Sequence, residues 1–165
     1  MFVFLEIFVV VILFLVLIQD LKYRAIHMAL PLFLCVIGMY QYIEKGYELT
    51  LLLWNVCFLG ITLGGAYMYV VVKNKKFINP FMSAIGLGDI LFFVAVLPFF
   101  YLVNYMLYFV TGLIFSIFCF LLLKLVKKTD LVPLAGFLAL YMLLIKSVGW
   151  ITDSDYFFTP PIPLY

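Results

Sequence analysis

Long apolar runs separated by short polar breaks dominate the hydrophobic pattern of this chain. Six runs can be delimited, and they cover residues 2–19, 27–43, 49–72, 89–103, 105–123 and 131–150. A helix crosses a bilayer with about 20 apolar residues at a rise of about 1.5 Å each. The pattern therefore predicts an all-α, polytopic membrane helical bundle with about six transmembrane helices.

The composition points in the same direction. Hydrophobic residues make up 68% of the 165 residues and charged residues 11%, whereas a soluble domain is about half apolar and about a quarter charged. We therefore treat the bilayer as the solvent and expect membrane lipids as partners. The net charge of +2 is too small to indicate nucleic acid as a partner. The first run lacks a basic start and a small-residue cleavage site, so we interpret it as a retained helix.

One transmembrane domain accounts for residues 1–150, because no internal repeat or linker divides them. Residues 77–88, "FINPFMSAIGLG", are apolar but broken by Pro80 and two glycines, which predicts an interfacial or re-entrant stretch. The break around Asn104 fits either a hairpin or a single bent element. Residues 151–165 are rich in proline and predict an irregular exterior tail.

Cationic residues lie mostly in alternate breaks between the runs. Eight of the ten follow the first, third or fifth run: Lys22, Arg24, Lys73, Lys75, Lys76, Lys124, Lys127 and Lys128. Only Lys45 and Lys146 fall near the other face. If all six runs cross, the positive-inside rule makes the cation-rich face cytoplasmic and leaves both termini outside. We therefore predict a multi-pass protein of the inner (plasma) membrane.

Most other candidate functional groups have an ordinary explanation. The three cysteines are widely spaced in apolar segments without a C-x-x-C pair, so we expect them to act as small hydrophobic side chains in packed helices, with no disulfide or zinc site. We expect no cofactor. Glu6 lies close enough to the outer end of the first run for its carboxylate to reach water.

Two aspartates are harder to explain by solvation. Asp20 ends the first predicted helix in "LIQDLKYRAIHMAL", and Asp89 opens the fourth in "GLGDI". Counting crossings places both at the cytoplasmic side. Ionisable groups at membrane depth usually pair and mark a functional path. Each also has a purely structural explanation, since Asp20 could pair with Lys22 or Arg24, and Asp89 could cap its helix.

If Asp20 and Asp89 lie in one site, the pair could hydrolyse a peptide bond. Two neighbouring carboxylates do not both ionise easily, so one is expected to keep a proton near neutral pH. The ionised member can take a proton from water while the protonated member polarises a peptide carbonyl, without a covalent intermediate. The two titrations belong to the pair, so neither is assigned as the base. Gly86 and Gly88 would permit unusual dihedral angles and the close approach of an extended substrate backbone.

Three stretches resemble the type IV prepilin peptidases, a family of GxGD intramembrane aspartic peptidases. The stretch "DLKYRAI" (20–26) resembles the first catalytic motif of the family, and "GLGDI" (86–90) matches its GxGD motif. The stretch "LVPLAGFLAL" (131–140) resembles the Ile-Pro-Phe-Gly-Pro-Phe-Leu segment that opens the last helix of the family. The three occur in the family's order, and the resemblance covers nearly the whole chain.

The resemblance implies an aspartic endopeptidase that cleaves the basic leader from prepilin-like precursor proteins at the cytoplasmic membrane face. It implies that Asp20 and Asp89 are the catalytic pair. It also implies substrate-positioning roles for Gly86, Gly88, Arg24 and Pro133. Because the chain carries neither the zinc-binding cysteine tetrad nor the N-terminal domain of the larger bifunctional members, we expect the short form without methyltransferase activity.

Departures from the family pattern bear on substrate preference and loop geometry. His27 and Met28 stand where the family usually has Pro and Asn, and Ala135 and Gly136 replace Gly and Pro. His27 is the only histidine, and a structural role at a helix start fits it better than a catalytic one.

Two other functions remain open from the sequence. A lipoprotein-type signal peptidase also uses two membrane aspartates, but its four crossings and exterior-facing site disagree with the cation pattern. A small transporter or an inactive scaffold could use Asp20 and Asp89 to relay ions or to brace the bundle. The sequence gives no indication of the oligomeric state.

Overall fold

Six α-helices and one 3-10 turn make up the part of the chain that the computed structural model describes, residues 2–74, 86–126, 132–152, 154 and 156–157. No strand occurs within these ranges, so the all-α prediction is confirmed. The elements are α1 (Phe2–Tyr23), α2 (Ala29–Glu44), α3 (Leu49–Asn74), α4 (Leu87–Val96), the 3-10 turn (Leu97–Phe99), α5 (Leu102–Val126) and α6 (Leu134–Thr152).

Four of these helices are long and apolar enough to cross a membrane, which indicates a membrane protein. The candidate spans are Phe4–Tyr23, Leu49–Lys73, Leu102–Leu125 and Leu134–Thr152. Helices α2 and α4 are also apolar but have only 16 and 10 residues. Ten helical residues reach about 15 Å, which is half of the roughly 30 Å hydrocarbon core.

The break after the fourth apolar run lies earlier than the sequence pattern predicted. Helix α4 ends at Val96, the 3-10 turn contains Pro98, and Asn104 lies inside α5 rather than at a boundary. Proline removes a backbone donor and restricts the preceding residue, so it ends the helix where composition alone would continue it. The Tyr105 hydroxyl donates to the Phe93 carbonyl over 3.3 Å, so α5 turns back beside α4.

The carbonyls near this proline break are satisfied by another helix. The Asn55 side chain of α3 donates to the carbonyl oxygens of Leu97 and Phe100 over 3.3 and 2.8 Å. Asn55 is fully buried. Because unpaired backbone groups are costly in an apolar interior, this contact fixes α3 against the end of α4.

Helices α1 and α6 pack antiparallel along a continuous seam. Asp20 contacts Gly136 at one end of the seam, and Glu6 contacts Lys146 at the other. Small residues on α6 allow the two backbones to approach closely. The buried apolar residues of the seam are Val9, Leu13 and Val16 on α1, and Ala135, Ala139 and Met142 on α6.

The beginning of the predicted tail is better ordered than expected. Helix α6 continues through Thr152, and Phe157 is buried beside the Phe100 ring at a centroid distance of 4.8 Å. The Asn104 side chain donates to the carbonyls of Tyr156 and Phe157. Residues 158–165, and most of the predicted re-entrant stretch at 77–88, lie outside the described residues.

Candidate active site

The site is built on the first turn of α6. Pro133 is buried just before the helix, and its carbonyl accepts the amide of Phe137 over 3.1 Å. The first amides of any helix have no partner within the helix. Here the Leu134 amide donates to the Val132 carbonyl over 3.0 Å. The next two amides are left to bind groups from elsewhere in the fold.

Those two amides bring the predicted aspartates together. The Gly136 amide donates to Asp20 Oδ2 over 2.6 Å, and the Ala135 amide donates to Asp89 Oδ1 over 3.0 Å. Two carboxylates from α1 and α4 therefore lie on successive donors of one helix. The positive end of the helix dipole also favours negative charge at this position.

Asp20 is held at the last turn of α1, where its residue is only 6% exposed. Beyond it, Arg24 adopts a left-handed backbone with φ 55°, and its amide donates to the Asp20 carbonyl over 3.1 Å. A non-glycine residue in this region costs roughly 1 kcal/mol or more. The bend ends α1 and keeps the guanidinium of Arg24 near enough to interact electrostatically with the Asp20 carboxylate.

Asp89 lies in the first turn of α4 and interacts with the residue that precedes this helix. The Gly86 amide hydrogen-bonds to the Asp89 carboxylate, as in one half of a capping box. A Cβ atom on Gly86 would lie 2.9 Å from Asp89 Oδ2. The expectation of an unusual backbone at this glycine is wrong, since Gly86 has ordinary extended dihedrals of φ −62° and ψ 136°. Gly86 instead leaves room for the carboxylate.

Gly88 has a different environment from Gly86. A Cβ atom on Gly88 would lie 3.6 Å from the nearest side-chain atoms of Ile26, an ordinary van der Waals distance. The backbone of Gly88 is not left-handed. Among the described residues, Gly46 is the one glycine with a left-handed backbone. The two glycines of the GxGD stretch therefore have unequal steric requirements.

Burial and the neighbouring charge set the acidity of Asp89, which lies outside the four candidate spans in the short helix α4. Burial, together with the nearby Asp20 carboxylate, raises the pKa of Asp89 to about 6, against the opposing effect of the hydrogen bonds from Ala135 and Gly86. The group therefore exchanges its proton close to neutral pH, which is the range that a general acid or base needs.

His27 is exposed and takes part in the turn between α1 and α2. Its amide donates to Gln19 Oε1 over 3.0 Å, and its ring Nδ1 accepts the Ala29 amide at 3.4 Å. These contacts support the structural role at a helix start. Among the described residues, no group of three or more His, Cys, Asp or Glu side chains is arranged to hold a metal ion.

A second polar cluster, in which Lys146 and Gln41 are buried, was not predicted from the sequence. Lys146 Nζ lies 2.5 Å from Glu6 Oε2, and Gln41 donates to Glu6 Oε1 over 3.1 Å. Glu6 was expected to reach water, and Lys146 was counted as a cation near the outer face. The sequence did contain a pattern that indicates a buried position for Glu6. Positions 6, 9, 13, 16 and 20 are spaced alternately by three and four residues, so they lie on one stripe of the helix with an acid at each end.

No protein-family model, curated protein or solved structure matches this chain. The resemblance to the prepilin peptidases therefore depends on the three short stretches described above.

Proposed function

We propose that this chain is a membrane aspartic endopeptidase that removes the basic leader from type IV prepilin-like precursor proteins. One observation carries the proposal: the carboxylates of Asp20 and Asp89, remote in sequence, accept hydrogen bonds from the successive amides of Gly136 and Ala135. Acid–base hydrolysis of a peptide needs two such groups held close together in a partly desolvated place.

In this mechanism the two aspartates share one proton. The ionised carboxylate takes a proton from the attacking water, and the protonated one donates to the carbonyl oxygen of the scissile peptide. A carboxylate offers about four acceptor positions, so binding a helix amide orients Asp20 or Asp89 without using its whole capacity. No cofactor takes part. The pair titrates as a unit, and either aspartate can act as the base.

The proposed topology has six passes, with both termini outside and the aspartates at the cytoplasmic face of the inner membrane. It is supported by helix direction, because the end of α1 and the starts of α4 and α6 meet at the aspartates. Cations at the ends of α1, α3 and α5 agree with this orientation. Helix α4 covers only about half of the core, and the fourth pass would start with Asp89 at the cytoplasmic face and continue through the Leu97–Phe99 turn to the start of α5.

The substrate would place its scissile bond beside the aspartates and its following apolar helix in the lipid. Gly86 and Gly88 lie next to Asp89 and leave backbone accessible there, since Gly86 is exposed. Pro133 directly precedes α6 and accepts the Phe137 amide, which helps to position both donor amides, and Arg24 adds positive charge beside Asp20. The cationic loops would not attract a basic leader, and they fit anionic lipid headgroups better.

The test is cleavage of a reporter precursor with a basic leader followed by an apolar helix, co-expressed with the chain and followed by mass. We expect Asp20→Asn and Asp89→Asn each to lower the cleavage rate by about 100-fold or more, since acid–base groups contribute about 10²–10⁴-fold. Glu44→Gln, at an exposed acid near the opposite end of α2, is the matched control and should cleave normally.

The asparagine variants distinguish a catalytic role of the two aspartates from a purely structural one. Its side-chain oxygen still accepts a helix amide, so the contacts with Gly136 and Ala135 survive while the proton transfer is lost. If both variants shorten the precursor at the normal rate, the aspartates act only as caps of α6, and a scaffold or transporter role becomes the better explanation.

A further inference from the structure

We propose that Glu6, Lys146 and Gln41 form a partly buried register lock, which fixes how far α1 lies along α6 and thereby places Asp20 on the Gly136 amide. The consequence for cleavage rests on the proposed function. The lock itself concerns only helix packing and can be tested without any substrate.

The contacts of the lock pair both of its charged groups, and the Glu6 side chain keeps 30% of its surface exposed. Both oxygens of the Glu6 carboxylate have a partner, Lys146 Nζ at 2.5 Å and Gln41 Nε2 at 3.1 Å. Lys146 is only 7% exposed, although lysine is almost never fully buried unless it is paired. The rings of Phe157 and Phe99 flank its ammonium group, with centroids 5.0 and 6.0 Å away.

The position of the lock explains why it matters for the distant aspartate. Glu6 and Asp20 lie on the same stripe of α1, fourteen positions and about 21 Å apart. The residues between them, Val9, Leu13 and Val16, are apolar and buried. Apolar seams in a membrane give little directional preference, whereas a buried polar contact specifies register.

A shift of α1 by one helical turn would move Asp20 by about 5.4 Å, and the 2.6 Å contact with Gly136 would be lost. The lock therefore acts through Asp20 as a positioning device, with no contact to the substrate. Removing only Glu6 should be worse than removing both charges, because the ammonium group of Lys146 is then buried without its carboxylate.

The experiment compares Glu6→Gln, Lys146→Met, the double variant Glu6→Gln/Lys146→Met and the swap Glu6→Lys/Lys146→Glu. Register is read by disulfide cross-linking of Val16→Cys with Ala139→Cys, in a background where the native cysteines are serine. We expect each single variant to lower the cross-linking rate by about tenfold, and the swap to return it to within about threefold of the parent.

Cleavage of the reporter precursor gives the second measurement. In the single variants we expect kcat to fall by about 100-fold while KM changes by less than about threefold, because the reacting groups are misplaced and the leader still binds. A loss of folding alone would lower the amount of folded chain in the membrane but not the rate per folded chain, so kcat is calculated from the folded chain that is present. The swap should recover kcat.

The outcomes are separable. Normal cross-linking in both single variants overturns the lock. Altered cross-linking that the swap corrects supports the lock, and if the parent chain then fails to cleave any precursor, only the proposed function is overturned. If the single variants do not accumulate in the membrane, the swap variant provides the test. A swap variant that accumulates and cross-links normally supports the lock, and a swap variant that fails to accumulate overturns it.

Discussion

Asp20 accepts a 2.6 Å hydrogen bond from the amide of Gly136, the residue that stands where the prepilin peptidase pattern has proline. A proline at this position would have no N–H to donate. The departure from the family pattern therefore gives this chain a donor aimed at one member of the candidate catalytic pair. It also ties the end of α1 to the start of α6.

Replacing this donor tests its contribution. Gly136→Pro should be tolerated by the first turn of α6, where the amides have no partner within the helix, but it removes the hydrogen bond to Asp20. A hydrogen bond to a charged group contributes about 1.5–3 kcal/mol, so we expect a lower melting temperature in detergent and slower cleavage. Normal cleavage by this variant would show that the contact with Asp20 is dispensable.

Gly136→Ala is the matched control because it keeps the N–H. Its Cβ would lie 3.1 Å from Asp20 Cβ and Oδ2, which is a tight contact. Alanine gains about 1 kcal/mol of helix propensity over glycine. We therefore expect a melting temperature close to that of the parent together with a cleavage rate lowered by less than in Gly136→Pro.

The two glycines of the GxGD stretch should respond differently to alanine. In Gly86→Ala the new Cβ would lie 2.9 Å from Asp89 Oδ2, so the carboxylate must leave its place. In Gly88→Ala the nearest atoms, from Ile26, are at 3.6 Å. We expect cleavage to fall by about 100-fold in Gly86→Ala, as for a misplaced catalytic group, and by much less in Gly88→Ala.

Cleavage rates of the two variants, measured at equal protein abundance in the membrane, check this prediction. Equal losses in both would argue that the glycines serve backbone flexibility or substrate approach instead of space for Asp89. A larger loss in Gly88→Ala would place the steric requirement at the contact with Ile26.

The sequence was sufficient to predict the helical class and the aspartate pair, because both depend on strong local signals. Apolar runs specify helices in a membrane irrespective of their partners, and isolated carboxylates such as Asp20 and Asp89 stand out against them. The break at Pro98 was misplaced because the apolar run continues past it. Proline gave a local signal there, but only the contact with Asn55 shows how the freed carbonyls are satisfied.

The partners of the charged groups could not be read from the pattern. Glu6 lies at a position where either water or a buried partner would satisfy it, and the choice is made by Lys146, on a helix near the other end of the chain. The donors of the site are backbone amides, which every residue except proline carries. Sequence therefore gives no sign that Ala135 and Gly136 are the groups that bind the aspartates.

The pH dependence of stability follows from the raised pKa of Asp89. Burial raises this pKa from 3.8 to about 6 in the folded state. Folding therefore favours the protonated form, so the stabilisation from this group is complete below about pH 3.8 and is lost as the pH rises through about 6. Asp89→Asn cannot ionise and should escape this loss.

Thermal unfolding in detergent between pH 4 and pH 8 measures the effect. We expect the melting temperature of Asp89→Asn, relative to the parent chain, to rise with pH and to level off above about pH 7. A difference that stays constant across this range would mean that Asp89 ionises equally easily in the folded and unfolded states. The rate at which the parent cleaves the reporter should also change with pH in the same region.

Asn55 should be the polar residue on which the break after α4 depends. Its side chain holds the carbonyls of Leu97 and Phe100, and its Oδ1 is buried without a hydrogen-bond partner among the described residues. Asn55→Leu removes both donated bonds and also the unpaired oxygen. Side-chain hydrogen bonds between membrane helices contribute about 0.6 kcal/mol on average and up to about 1.7, so we expect a net loss of about 1–2 kcal/mol.

A loss of this size lowers the melting temperature by roughly 2–8 °C in a chain of this length. Thr62→Val is the matched control on the same helix, because within the described part of the chain the Thr62 hydroxyl bonds to carbonyls of its own helix, at Phe58 and Leu59. We expect its free energy of unfolding to stay within about 0.5 kcal/mol of that of the parent. Cleavage should fall less than tenfold in Asn55→Leu, since Asn55 contacts the end of α4 opposite Asp89. An unchanged melting temperature would show that Pro98 alone sets the break and that α3 does not stabilise it.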